Sequence, residues 1–221
     1  MKEKRQSIRF KQQQFTYEYL NQIFDSLTEI SGIAYGIVTN AHVADNWDKT
    51  YKTGDKVTIG NLAKRTLGGT IDAAFIEFTN EDMCVTEQIQ LSETMYYGIG
   101  DVASESIILQ GTPIRRKGIT TGETTGTIVY STYNIPINYG SDDDPNYITI
   151  SNSIVYSNAG DKGDSGGPVV MQHANHYFLG ITYASNKVDR GYACRASNIL
   201  SQLNLSIVNS QWMINHPELW P

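Results

Sequence analysis

Gly160-Asp161-Lys162-Gly163-Asp164-Ser165-Gly166-Gly167-Pro168-Val169-Val170 sets one serine in a glycine-rich turn that runs directly into an apolar stretch. A serine hydroxyl is a weak nucleophile at neutral pH. A reactive serine therefore needs a base beside it and hydrogen-bond donors aimed at the oxygen that gains charge during attack. Gly163 and Gly166 suit the second need. Lacking Cβ atoms, they allow backbone conformations in which successive amides converge on one point and form an anion-binding nest. An ordinary Gly-Asp-Ser turn draws on the same residue types for local reasons, but it requires a shorter and less particular run.

The base must come from four histidines. His42 follows Gly36-Ile37-Val38-Thr39-Asn40-Ala41, an apolar strand-like run whose end would present the imidazole to a cleft. His173 and His176 stand in a polar stretch, Gln172 to His176, that reads as a hairpin tip, and His216 lies beside Pro217 near the C-terminus. His42 is the base candidate. A base of this kind needs a carboxylate to fix its tautomer, and Asp72 enters the otherwise apolar Thr70-Ile71-Asp72-Ala73-Ala74-Phe75-Ile76-Glu77-Phe78. Burying a carboxylate is costly unless it is paired, which marks Asp72 as functional. The alternative, a turn aspartate, competes with Gly68-Gly69, which already supplies a turn.

Thr39-Asn40-Ala41-His42, Asp72-Ala73-Ala74-Phe75 and Gly163-Asp164-Ser165-Gly166-Gly167-Pro168 fall in the order histidine, aspartate, serine. With these motifs the chain, from about Gly32 onward, resembles the chymotrypsin-like serine proteases, in particular the bacterial branch of streptogrisins and alpha-lytic protease. The resemblance implies an all-β fold of two antiparallel β-barrels of the six-stranded type with a cleft between them. It also implies a serine endopeptidase in which Ser165 attacks, His42 is the base, Asp72 orients the imidazole, and the amides of Gly163 and Ser165 form the oxyanion hole. It calls for no cofactor and no metal. Bacterial relatives neutralise the aspartate before the serine with an arginine, and Arg116, in Ile114-Arg115-Arg116-Lys117-Gly118, occupies the matching place opposite Asp164. A solvated basic cluster is the alternative there.

By the same resemblance, the primary substrate pocket is walled by Ala159, Gly160 and Lys162, by Thr182, Tyr183, Ala184 and Ser185, and by Gly191 at its mouth. Ala159 falls where trypsin-like members carry a pocket-floor aspartate, Asp161 falls on the rim, and Thr182 replaces the wall histidine of glutamate-specific relatives. Uncharged substrate side chains are the expected preference, since a substrate cation would be desolvated without a partner. The strand Tyr177 to Ser185 is expected to pair with substrate backbone. Tyr183 departs from relatives that carry a serine there, touching the aspartate of the triad.

At 221 residues the chain accommodates one large all-β domain or two small ones. A net charge of −6 without a basic stripe argues against a nucleic-acid partner. No run approaches the length of a membrane span. The expected partner is a peptide or protein substrate, and the expected state is a monomer. Fourteen tyrosines suit half-buried strands. Cys84 and Cys194 read as free or buried, which leaves the redox compartment open. The resemblance implies secretion, yet no apolar signal-peptide core follows Met1-Lys2-Glu3-Lys4-Arg5.

Residues 1–30 depart from the resemblance. Phe15, Tyr19, Leu20, Ile23, Phe24, Leu27 and Ile30 recur at helical spacing and predict an amphipathic helix from Phe15 to Glu29, either packed on the barrel or a pro-segment remnant. Strands are expected at Ser7 to Lys11, Gly32 to Thr39, Asp55 to Gly60, Ala73 to Phe78, Met83 to Ile89 and Ser106 to Gly111. The expected division is a first barrel over 31–111, short or built differently, with His42 and Asp72, then a barrel over 112–221 with Ser165. Ser141-Asp142-Asp143-Asp144-Pro145 reads as a solvated turn, because it lacks the spaced ligands of a calcium loop. Ala196 to Leu203 predicts a short capped C-terminal helix. Two readings compete with the enzyme: a binding module that keeps the fold without the activity, and an unprocessed precursor.

Overall fold

The computed structural model describes residues 26–27, 34–47, 49–52, 58–79, 88–90, 96–173 and 176–209. Its strands, in order, are β1 (Ser26–Leu27), β2 (Gly36–Thr39), β3 (Thr50–Lys52), β4 (Thr58–Gly68), β5 (Ile71–Phe78), β6 (Gln88–Gln90), β7 (Tyr96–Gly98), β8 (Pro113–Gly118), β9 (Gly122–Asn138), β10 (Tyr147–Ser157), β11 (Pro168–Met171), β12 (Phe178–Ser185), β13 (Arg190–Arg195) and β14 (Ser206–Ile207), with one helix, α1 (Ala196–Leu203), among the described residues. In the first half, β2-β5-β4-β3 form a four-stranded sheet, whereas β10-β13-β12-β11-β8-β9 close into a barrel in the second. The ladders of both are antiparallel. The all-β, antiparallel, two-part architecture is the one expected, and among the described residues the second half closes into a barrel while the first is a four-stranded sheet.

β5 explains how the two halves meet. It lies between β2 and β4, and Ile71, Asp72, Ala73, Ala74, Phe75 and Ile76 are all buried. Side chains alternate across a strand, so one apolar run serves two cores. Ile71, Ala73 and Phe75 join a cluster with Ile150, Ile181, Cys194, Ile199 and Leu203 of the second half. Ala74 and Ile76 face the other way, onto Ile37, Tyr51, Ile59 and Leu62.

The long hairpin of β9 and β10 reaches back over the first sheet. Ile135 and Ile150 are buried in the shared cluster, Ile137 and Ile148 pack on it, and Ser151 N–H donates to Gly69 O at 2.8 Å. α1 completes the seam by burying Ala196, Ile199 and Leu203. Among the described residues, no helix is long and apolar enough to cross a membrane.

Several expectations need correction. Ser106 to Gly111 is not a strand but a succession of turns, closed by Leu109 N–H to Ile107 O at 3.0 Å and Thr112 N–H to Leu109 O at 3.1 Å. Those turns insert Ile108 into the barrel core. The strand expected to end at Gly60 continues to Gly68, because β5 pairs with it along that whole length. Ser26 and Leu27 pair with Ile207 and Ser206 as β1 and β14, so the predicted helix does not run through them. The rest of that helix, the strand Ser7 to Lys11, Cys84 and His216 lie outside the described residues. α1 spans its predicted range, but Arg195 at its N-cap makes no side-chain capping bond. Its buried guanidinium is committed elsewhere, to Asn152 O at 2.9 Å, Glu105 Oε2 at 2.5 Å and Thr132 Oγ1 at 2.9 Å.

Candidate active site

The end of β2 and the start of β5 are opposite ends of neighbouring antiparallel strands, which places the residues after Thr39 beside Asp72. The chain turns there, with Val43 N–H and Ala44 N–H both donating to Asn40 O at 3.1 and 3.0 Å. Asn40 Nδ2 donates to Asp72 O at 2.8 Å, and Arg65 Nε reaches from β4 to Ala41 O at 2.9 Å and Ala44 O at 3.2 Å. The turn is thus held from two strands. His42 N–H donates to Asp72 Oδ1 at 3.1 Å, and His42 Nδ1 lies 2.5 Å from Asp72 Oδ2. On the far side of the ring, His42 Nε2 lies 3.1 Å from Ser165 Oγ. A hydroxyl, an imidazole and a carboxylate from three distant stretches therefore form one hydrogen-bonded line.

Ser165 sits on a turn closed by Asp164 N–H to Asp161 O at 3.1 Å and tied to β12 by Gly166 N–H to Thr182 O at 2.9 Å. Gly163 has φ of +103°, and a Cβ there would meet Thr120 Oγ1 at 2.5 Å. A side chain at this position is therefore opposed both by backbone conformation and by space. Beneath the turn, Arg116 Nη1 donates to Asp164 Oδ2 at 3.1 Å, with both side chains 1% exposed. Arg116 Nη2 also donates to Thr121 Oγ1 at 2.9 Å and Ala159 O at 3.0 Å. Burial works against the charge on Asp164, but donation from Asp161 N–H, the Thr121 hydroxyl and N–H, and Thr120 N–H outweighs it and holds the carboxyl below its ordinary range.

The residues expected at the substrate pocket divide in two. Ala159, Gly160 and Lys162 lie on the approach to Ser165, with Gly160 buried and Lys162 exposed. Ser185 Oγ donates to Gly160 O at 2.6 Å, linking the end of β12 to that approach. Ala184 and Ser185 are half-buried, and Gly191 on β13 pairs with Ser185. The Tyr156 ring covers Gly191 so closely that a Cβ there would come within 2.3 Å of it. Thr182 and Tyr183, expected in the second wall, have buried side chains, at 3% exposure each. Thr182 Oγ1 is 2.8 Å from Tyr156 Oη, and burial pushes that phenol up to about 12. The Tyr183 hydroxyl turns inward, 2.9 Å from Ser153 Oγ.

Sequence reasoning missed two neighbours of Asp72. Tyr139, immediately after β9, donates its hydroxyl to Asp72 Oδ2 at 2.9 Å. The free, buried thiol of Cys194 accepts Asp72 N–H at 3.1 Å. Burial first, and then the Asp72 charge, push that thiol well above its usual range. Neither signal is local, since both residues are far from Asp72 in sequence. Of the remaining histidines, His173 and His176 lie on the loop between β11 and β12, and Asp142, Asp143 and Asp144 are exposed in a turn where Asp144 N–H donates to Ser141 Oγ at 3.0 Å.

A family model described as trypsin matches residues 33–202. No curated protein sequence matches the chain. Among solved structures it is similar to Nocardiopsis protease, at 19% identity, with 85% of this chain and 94% of that one covered and a TM-score of 0.65. Thermobifida fusca protease A is 18% identical, with 87% and 95% covered and a TM-score of 0.63. A glutamic acid specific serine protease that uses a histidine triad in substrate binding is 21% identical, with 83% and 91% covered and a TM-score of 0.63. At these identities the structural likeness is one of fold, and it agrees with a family match that runs through both halves of the molecule. The chain belongs to the trypsin family, and by that membership it is a serine-type endopeptidase acting on peptide or protein substrates.

Proposed function

We propose that the chain cleaves peptide bonds through an acyl-enzyme formed on Ser165. One observation carries this reading: His42 bridges Ser165 Oγ at 3.1 Å and Asp72 Oδ2 at 2.5 Å. His42 Nε2 takes the hydroxyl proton as Ser165 Oγ bonds to the scissile carbonyl carbon. The same proton then goes to the leaving amine as the C–N bond breaks. Water then attacks the acyl carbon while giving a proton to His42, and that proton passes to Ser165 Oγ as the C–Oγ bond breaks and the acid leaves. Asp72 keeps Nδ1 protonated and stabilises the imidazolium of each step. The amides of Gly163 and Ser165 take the oxyanion, a contribution typically on the order of a hundredfold to a thousandfold in rate.

For the substrate residue before the cut, we propose an uncharged side chain. Asp164 is already paired with Arg116 and Asp161 is exposed to solvent, so neither carboxylate is left to meet a substrate cation out of water. A peptide library cut chiefly after arginine and lysine would reject this preference. We also propose that the enzyme works outside the cell, as its resemblance implies, to be tested by recovering it from culture medium.

The reaction itself is tested by a fluorophosphonate probe and by Ser165→Ala. The probe is expected to label Ser165 stoichiometrically, and the alanine variant to lose both labelling and hydrolysis while keeping its unfolding transition. A folded wild-type chain that neither labels nor hydrolyses would make it a binding module of protease fold.

A further inference from the structure

We propose that Tyr139 is a positioning residue of the triad, its hydroxyl holding the Asp72 carboxylate in the orientation that serves His42. This rests on the triad reading above. Asp72 is fully buried, and a carboxylate has about four lone-pair sites to satisfy there. Its Oδ1 accepts His42 N–H at 3.1 Å. Its Oδ2 faces His42 Nδ1 at 2.5 Å and accepts the Tyr139 hydroxyl at 2.9 Å. Among the described residues, these are the donors to the carboxylate, and Tyr139 is the one that does not belong to His42. The other groups facing Asp72 are the Cys194 thiol, which engages its backbone, and Tyr183.

The placement is built by the fold. β9 and β10 carry their connection across to the first sheet, where Tyr139 N–H donates to Asn146 O at 2.8 Å. Asn138 Oδ1 accepts Gly140 N–H and Asn146 N–H, each at 2.9 Å, so the loop is closed on itself around the tyrosine. The Tyr139 ring also lies against the imidazole, with centroids 5.7 Å apart and planes tilted by 50°. Burial, and then the Asp72 charge, hold the phenol far above its ordinary range, so it remains a donor wherever the enzyme works. The hydroxyl that the resemblance expects at Tyr183 is thus supplied from a different strand pair, while Tyr183 itself is bonded to Ser153.

When His42 takes the Ser165 proton, the carboxylate stabilises the imidazolium only while Oδ2 remains aimed at Nδ1. Removing the tyrosine hydroxyl leaves the His42 N–H on Oδ1 as the one fixed donor, among the described residues, that restrains that torsion. It also takes an anion-stabilising bond from Asp72, so the carboxylate and imidazole together hold a proton more tightly. The acid limb of the rate profile must then move to higher pH.

The test uses the full chain with Tyr139→Phe, which keeps the ring, and Tyr139→Leu, which removes it. Tyr139→Phe is expected to lower kcat on the order of tenfold, the effect of one hydrogen bond to a charged group. KM should stay unchanged, the acid limb should move up, and the low-field proton resonance of His42 Nδ1 should shift. Folding of each variant is checked by its unfolding transition. A Tyr139→Phe rate within about twofold of wild type, with the acid limb unmoved, would overturn the proposal. So would a loss seen only in Tyr139→Leu, which would make the role one of ring packing. Fluorophosphonate labelling separates the two readings: a wild type that fails to label removes the triad and this proposal with it, whereas a labelled wild type with an indifferent Tyr139→Phe removes this proposal alone.

Discussion

Arg116 and Asp164 meet at 3.1 Å beneath the turn that carries Ser165, each with 1% of its side chain exposed. An ion pair this deep contributes little net stability when intact, but breaking it leaves a buried charge without a partner. Arg116→Met is therefore expected to cost about 3–5 kcal/mol. Arg116→Lys should fall between it and wild type, since an ammonium keeps the charge but not the guanidinium fork that also reaches Thr121 and Ala159. Urea denaturation in a Ser165→Ala background, which prevents self-digestion, measures both. A loss below about 1 kcal/mol for the methionine variant, the size of an exposed pair, would show that the buried charge is compensated in some other way.

The same aspartate sets a pH dependence of stability. Its folded pKa lies below the unfolded value, so the unfolded state binds the proton more readily. The stabilisation is fully present above the ordinary aspartate range of about 3.9 and is lost as pH falls through the folded value. Denaturation midpoints measured from neutrality down to about pH 2 should decline in that window, with a smaller slope in Asp164→Asn. Equal slopes would remove Asp164 as the source.

Hydrolysis has its own pH requirement. A protonated His42 has no lone pair for the Ser165 proton, so the rate should fall on acidification across roughly pH 8 to 5, where histidine gains its charge. The observable is kcat/KM against pH, with folding followed in parallel. A flat profile on a folded protein would take His42 out of the role of base.

Cys194 should be silent while the protein is folded. Its thiol is buried and held protonated, and the thiolate is the reactive form. In a Cys84→Ser background, a thiol reagent is expected to modify Cys194 only at the rate of unfolding. Cys194→Ala should cost about 1–3 kcal/mol, because Asp72 N–H then loses its acceptor in a buried site. Rapid labelling under native conditions would contradict the burial.

What the sequence determined by itself is which residues the fold then brings together at the site. Thr39-Asn40-Ala41-His42, the apolar run after Asp72 and the glycine-flanked Ser165 are short local patterns whose residue types carry their own reasons. A strand-end histidine, a carboxylate entering a buried strand and a serine in a glycine turn are legible without a partner in view. β5 was legible too, because a largely apolar run of eight residues, the first six of them buried, has few other uses. Helical spacing misled at Ser26 and Leu27, where pairing with β14 supplies the backbone partners. The apolar run Ile107-Ile108-Leu109 likewise misled at Ser106 to Gly111, where it serves turns.

Only the tertiary structure decided what surrounds those residues. Tyr139 reaches Asp72 from 67 positions away, and Cys194 from 122, through a hairpin and a barrel strand whose local sequence says nothing of a distant carboxylate. Tyr183 turns into the core because Ser153, on β10, offers its hydroxyl a partner there. Local pattern is a property of a few consecutive residues. The last donor to a buried charge is chosen by whichever strand the fold brings within about 3 Å of it, the reach of a hydrogen bond.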